Sequence, residues 1–214
     1  MGQKDTVLWD FDGTVMDTNE VVYRSWQHTY RTLTGHDGDD AFIYATFGET
    51  LADSMERAFP DVPVEESLAV YRAYHYERFD DLIRLFPGME ETLAALCERG
   101  IRMGLVTSRL RRTTMRGVRK FHLDRYFDTI VTADDKVRHK PDPEPALLAL
   151  ERLHADAADS LMVGDAVYDQ RCAENAGIEY VMVGWTQSLD PWKLHGSERP
   201  DHIIRRPQEI LALL

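Results

Sequence analysis

Long apolar runs, basic clusters and cysteine are all scarce in this chain of 214 residues. No apolar run approaches the ~20 residues a helix needs to cross a bilayer, so a helical membrane protein is excluded. Lys and Arg number 25 against 37 Asp and Glu, a formal net charge of −12. No run of Lys or Arg stands out, and neither nucleic acid nor an anionic membrane surface is an expected partner. The two cysteines, Cys97 and Cys172, lie in helix-like stretches without metal-ligand spacing. They read as buried free thiols of a cytosolic protein. The eight histidines show no metal-ligand pairing. The N-terminus runs directly into Asp5 and a strand-like segment, with no signal peptide, so a cytoplasmic location is expected. Internal repeats and low-complexity segments are absent, and nothing in the sequence sets the oligomeric state.

What is present is a hydrophobic fraction of 43%, enough for a proper core. Short β-rich runs recur at Thr6–Phe11, Arg102–Thr107, Thr129–Thr132, Ser160–Val163 and Tyr180–Val183. Helical stripes lie between the later ones: Met89, Leu93, Leu96 and Cys97; Met115, Val118 and Phe121; Ala146, Leu147, Leu150 and Leu153. Such alternation predicts an α/β fold, a Rossmann-like parallel sheet with helices on both sides. From about Met16 to Leu85 the pattern is all helical, with stripes at Val22, Trp26, Thr29 and Leu33, at Leu51, Met55, Ala58 and Phe59, and at Leu68, Tyr71, Phe79, Leu82 and Ile83. The expected division is a core of residues 1–16 and 86–214 with a helical cap of residues 17–85, an insert of the kind that covers a site.

Functional groups of open parallel sheets gather at the carboxyl ends of the strands, and four stretches fall there. In Asp10-Phe11-Asp12-Gly13, strand alternation turns both carboxylates to one side and Phe11 into the core; Asp-Gly is equally a turn signal. Thr107 and Ser108 end a buried strand, where hydroxyls and backbone N–H groups suit a phosphate oxygen or cap a helix. Lys140, stiffened by two following prolines, suits an anion or is a solvated loop lysine. Asp165 ends a fourth strand and Asp169 follows at i+4, a spacing that faces both into one site; Asp165 is also a plausible helix cap. Together these stretches would place Asp10, Asp12, Asp165 and Asp169 in one crevice, which is untenable without a cation. Mg2+ is the expected cofactor: hard, oxygen-seeking and able to share its shell with phosphate.

The four motifs, in this order, resemble those of the haloacid dehalogenase superfamily of phosphohydrolases with a helical cap. The resemblance implies Asp10 as nucleophile, Asp12 as general acid then base, and Thr107 and Lys140 as phosphate-binding groups. It also implies Asp165 as metal ligand and Asp169 as a further metal or water ligand. Gly13 and Ser108 are expected to line the bound phosphate. The second aspartate argues against the dehalogenases. Lysine is missing altogether from residues 15 to 86, which argues against the phosphonate-cleaving branch with its cap lysine. Val22 stands where the sugar phosphomutases carry histidine. "DTNE", "VTADD", "KPDPEP", "LMVGD" and "GWT" are similar to the PpaX-type inorganic pyrophosphatases, and much of that set is shared with phosphoglycolate phosphatases. A small phosphorylated substrate is implied, with pyrophosphate first and phosphoglycolate or another metabolite second. A β-phosphoglucomutase-like isomerase and a non-catalytic phosphate-binding module are the remaining alternatives. By the same resemblance Asn19, Glu20 and Gly48 face the substrate from the cap, although Asn19 and Glu20 also suit a plain helix start. Arg109 is a candidate for a distal phosphate or an ordinary solvent-facing arginine.

Overall fold

The structure, a computed structural model, describes residues 4–47, 49–135, 137–186, 191, 194 and 199–214. The chain divides into two compact units, Thr18–Arg84, and Met1–Asp17 with Leu85–Leu214.

The Thr18–Arg84 unit is built from helices α1 (Asn19–Thr34), α2 (Asp40–Ala45), α3 (Leu51–Ala58) and α4 (Val64–Leu82). Asp39 caps α2 by accepting from the Phe42 N–H, and Thr50 caps α3 by accepting from the Asp53 N–H, so each start is satisfied by its own side chain. Gly35, at φ 80°, ends α1 in the left-handed conformation that glycine adopts without penalty. The core gathers Trp26, Ile43, Met55, Phe59 and Tyr71. Trp26 lies edge-on to Tyr71, with ring centroids 5.8 Å apart. Of the aromatic run on α4, Tyr71 and Phe79 are buried and Tyr76 is exposed.

The larger unit holds strands β1 (Thr6–Trp9), β2 (Met16–Asp17), β3 (Arg84–Leu85), β4 (Arg102–Val106), β5 (Thr129–Val131), β6 (Ser160–Gly164), β7 (Glu179–Val183) and β8 (His202–Ile204), of which β3 begins one residue before the unit does. Six of these form one sheet in the order β5-β4-β1-β6-β7-β8, parallel throughout. Around it lie α5 (Met89–Glu98), α6 (Arg111–Lys120), α7 (Glu144–Leu153) and α8 (Val167–Ala176). All four residues of β1 are buried. Because neighbours on a strand point oppositely, both faces of the sheet are covered, as a parallel sheet requires. Leu8, Val106, Met162 and Met182 pack with Leu150, Leu153 and Ala173 of α7 and α8, each large side chain stabilising the fold by roughly 1.5–3 kcal/mol. The parallel α/β architecture is the one the sequence predicts.

Two helical faces differ from expectation. Leu147 is 45% exposed, and the buried stripe of α7 runs through Ala146, Ala149, Leu150 and Leu153 instead, the i, i+3, i+4, i+7 pattern of a single face. Cys97 is exposed, because α5 buries Met89, Thr92, Leu93 and Leu96 and turns its last residues outward. Both cysteines are free. No described helix is long and apolar enough to cross a membrane.

After β1 the sheet grows outward on one side through β4 and β5 and on the other through β6, β7 and β8. The order reverses beside β1, and the crevice at such a reversal, beyond the carboxyl ends, is where open α/β sheets bind ligands. Trp9 pairs with both Leu105 and Val163, so the residues following β1, β4 and β6 emerge together at that edge.

Candidate active site

Asp10 is the first residue past β1, and its N–H donates to the Val163 carbonyl at 2.8 Å. Phe11 is buried in the core, and its carbonyl accepts from the Val15 and Met16 N–H groups. Gly13, at φ 75°, turns the chain back. A Cβ on Gly13 would lie 2.2 Å from Asp165 Oδ2, so this glycine is needed both for its left-handed backbone and for the close approach of a carboxylate. Gly13→Ala is therefore expected to lower stability by at least ~2 kcal/mol and to displace Asp165. A denaturant midpoint equal to the wild type would contradict this close packing.

Lys140 lies in the loop before α7, and its side chain is only 4% exposed. Its Nζ donates to Asp10 Oδ1 at 2.6 Å and to Asp169 Oδ1 at 2.5 Å. Asp169 Oδ2 accepts from the Ala166 N–H at 3.1 Å, so it, rather than Asp165, makes the side-chain cap of α8. Burial by itself lowers the Lys140 ammonium, but the pull of Asp10 and Asp169 outweighs it and holds the group well above the usual lysine range. Burial pushes the Asp10 carboxyl well up; Lys140 opposes that, while Asp169, Asp165 and Asp12 add to it. One ammonium among Asp10, Asp165 and Asp169 leaves those three carboxylates short of positive charge.

Asp10, Asp165 and Asp169 are all buried, and each offers an oxygen within 4.8 Å of the others. An all-carboxylate set of this spacing suits a hard divalent cation, and its deficit of positive charge favours one. The side chain of Asp12, expected with the metal ligands, is not among these three carboxylates. Its carboxylate is gripped by Arg109, which donates from Nε to Oδ2 at 2.9 Å and from Nη2 to Oδ1 at 2.7 Å. The planar guanidinium matches both oxygens at once. Arg109 is accordingly no solvent-facing residue, since its side chain is 10% exposed.

The Thr107 hydroxyl, buried at the end of β4, accepts from the Arg109 N–H at 3.1 Å. Ser108 is half-buried. Neither caps α6, whose N-cap is Leu110 with no side-chain bond. In the Thr18–Arg84 unit, Asn19 and Glu20 open α1; Asn19 is buried and Glu20 pairs with Arg24 at 2.5 Å. Gly48 lies outside the described residues.

Residues 7–183 match the family described as haloacid dehalogenase-like hydrolase. The chain belongs to that family. It is 36% identical to a "Putative pyrophosphatase PpaX" from Caldanaerobacter subterraneus subsp. tengcongensis over 97% of this chain and 93% of the relative. It is 34% identical to "Pyrophosphatase PpaX" from Halalkalibacterium halodurans over 98% of this chain and 96% of that one. A solved structure from Lactobacillus plantarum, described as a "putative phosphoglycolate phosphatase", superposes with TM-score 0.86 at 25% identity, covering 100% of both chains.

Three side chains of this haloacid dehalogenase-like chain touch the site without having been given a role in it from the sequence, although Trp185 and Thr186 belong to the "GWT" stretch quoted there. Thr186 Oγ1 donates to Asp165 Oδ2 at 2.9 Å, Trp185 Nε1 donates to the Thr14 carbonyl at 3.2 Å, and the Tyr180 hydroxyl donates to the Ala166 carbonyl at 3.2 Å. Burial raises the Tyr180 phenol well above its usual range, so it stays a neutral donor. The available signal was position: Trp185 and Thr186 follow a buried strand at the same carboxyl edge as the four motifs.

Proposed function

We propose that the protein is a Mg2+-dependent phosphohydrolase that works through an aspartyl-phosphate on Asp10, with inorganic pyrophosphate as its substrate. One observation carries the chemistry: at the carboxyl end of the central strand, Asp10 holds the buried Lys140 by Oδ1 and shares a divalent-cation donor set with Asp165 and Asp169. Bound there by these three carboxylates, the cation would neutralise phosphoryl charge and act as a Lewis acid.

Asp10 Oδ2 has no hydrogen-bond partner among the described residues, and it is the oxygen available to attack. A bond forms from Asp10 to phosphorus as the bond from phosphorus to the leaving oxygen breaks. Asp12, carrying a proton once Arg109 has turned to the anionic leaving group, gives that proton to the departing oxygen. It then takes a proton from the water that attacks phosphorus, and cleavage of the aspartyl–phosphorus bond regenerates Asp10 and releases phosphate. Lys140 and Thr107 offer donors to the phosphoryl oxygens. Arg109, already bidentate to a carboxylate, has the geometry to take the second phosphate of pyrophosphate; an anionic leaving group would compete with Asp12 for it. The helical Thr18–Arg84 unit is read as the cap domain of the family.

Pyrophosphate is preferred because two relatives that match nearly the full chain carry the name pyrophosphatase. Phosphoglycolate is the second reading, favoured by the description of the Lactobacillus plantarum structure and by the equal fit of Arg109 to a carboxylate. The test is kcat/KM for pyrophosphate, phosphoglycolate and a panel of sugar phosphates at one Mg2+ concentration. Pyrophosphate is expected to lead, and activity is expected to vanish with a chelator. A tenfold or greater advantage for another substrate would overturn the substrate assignment alone. Full activity after exhaustive chelation would overturn the metal site.

A further inference from the structure

The strand next to the one carrying Asp165 delivers three hydrogen bonds to the site, all from outside the four motifs. β7 is paired on both sides, with Met182 opposite Gly164 and Val183 opposite Ile204. Its extension stays anchored, since the Gly184 N–H donates to the Ile204 carbonyl at 2.8 Å. The next two residues each touch a different part of the site. Thr186 Oγ1 reaches Asp165 Oδ2 at 2.9 Å, the same carboxylate oxygen that lies against Gly13. Trp185 Nε1 reaches the Thr14 carbonyl at 3.2 Å, in the turn that carries Asp12. The Trp185 ring packs against Phe86 with centroids 6.0 Å apart, which limits its rotation. Further down β7, the Tyr180 hydroxyl holds the Ala166 carbonyl at 3.2 Å, while the Ala166 N–H is held by Asp169.

We propose that Trp185 and Thr186 are paired positioning residues with separable roles: Thr186 sets the carboxylate of Asp165 for the divalent cation, and Trp185 sets the turn that presents Asp12 for proton transfer. A carboxylate on a single-bonded side chain rotates unless another group fixes it. A hydroxyl donor on one oxygen fixes the plane before any ligand arrives, which is the ordering contribution that outer partners make to a metal site. The indole acts on backbone instead of a ligand. It holds the Thr14 carbonyl, and so bears on where Asp12 sits without touching the cation donors.

The proposal rests on the divalent-metal phosphohydrolase reading, and the test separates the two. Mg2+ is titrated calorimetrically into the substrate-free protein, and turnover is measured on an alkyl and an aryl phosphate. Thr186→Val is expected to weaken Mg2+ binding about tenfold, and Thr186→Ser, which keeps the donor, to restore most of that affinity. Thr186→Ala removes the same donor and serves if the valine variant does not fold. Trp185→Phe is expected to leave Mg2+ affinity at the wild-type value and to lower kcat about tenfold on the alkyl phosphate, with a smaller loss on the aryl phosphate, whose leaving oxygen needs less help from Asp12. A general structural role would lower both substrates equally and give no split between the variants. Wild-type Mg2+ affinity in the Thr186 variants, or equal loss of affinity in Trp185→Phe, overturns the assignment while the phosphohydrolase reading stands. Absence of Mg2+ binding in the wild type, matched by Asp165→Asn, overturns both.

Discussion

Asp10→Asn is expected to abolish turnover while leaving the protein folded. The change is near-isosteric, and the amide oxygen still offers Lys140 an acceptor at the position now occupied by Oδ1, 2.6 Å away. What disappears is the nucleophilic oxygen, and with it the covalent step. Loss of a nucleophile that works in concert with its neighbours costs about 10⁴-fold or more in kcat. Phosphate release under single-turnover conditions, beside a thermal unfolding curve, is the measurement. Retention of more than a few per cent of wild-type activity would sink the assignment of Asp10. A large drop in unfolding temperature would mean that the loss reports folding instead of chemistry.

The second large effect is expected at Lys140, and it falls on stability as well as activity. The ammonium sits between Asp10 and Asp169 with both side chains nearly inaccessible to water. Lys140→Met keeps much of the volume and removes the charge, leaving two buried carboxylates facing each other. Breaking a buried ion pair from one side costs about 3–5 kcal/mol, because the remaining charge is stranded away from water. Added Mg2+ is expected to recover part of that loss, since a ligand that binds the folded state stabilises it. Catalysis is expected to fall by about 10²–10³, the range seen when one preorganised charge-stabilising group is deleted. Chemical denaturation with and without Mg2+ checks the first part and steady-state phosphate release the second. A stability change below about 1 kcal/mol in the metal-free protein would mean that the lysine is not the counter-charge of this cluster.

Much of the larger unit was legible because its signals are local. Runs such as Thr-Val-Leu-Trp and Ser-Leu-Met-Val-Gly are fully buried strands, and a continuous apolar run of that length has few other uses in an α/β chain. β8 was missed because it is three residues long, with only Ile203 and Ile204 apolar, too short for any periodicity. α2 was missed for a similar reason: six residues give less than two turns of pattern. The errors at Leu147 and Cys97 have another origin. A helical stripe read from spacing can be drawn one residue to either side, and only the surface that the helix meets decides which edge is covered.

The candidate site divides along the same line. By itself the sequence determined which carboxylates and which lysine end up at the carboxyl edge, because strand ends are local features and the order of strands and helices implies a parallel sheet. The tertiary structure decided who holds whom. Lys140 meets Asp10 across 130 residues of chain, Arg109 meets Asp12 across 97, and Trp185 meets Thr14 across 171. Such pairs depend on register between strands that are not consecutive in sequence, and a hydrogen bond is formed or lost within a few tenths of an ångström. That is why Asp12, one of four equivalent carboxylates in the sequence, is in the fold the partner of a guanidinium, while the other three face one another closely enough to share a cation.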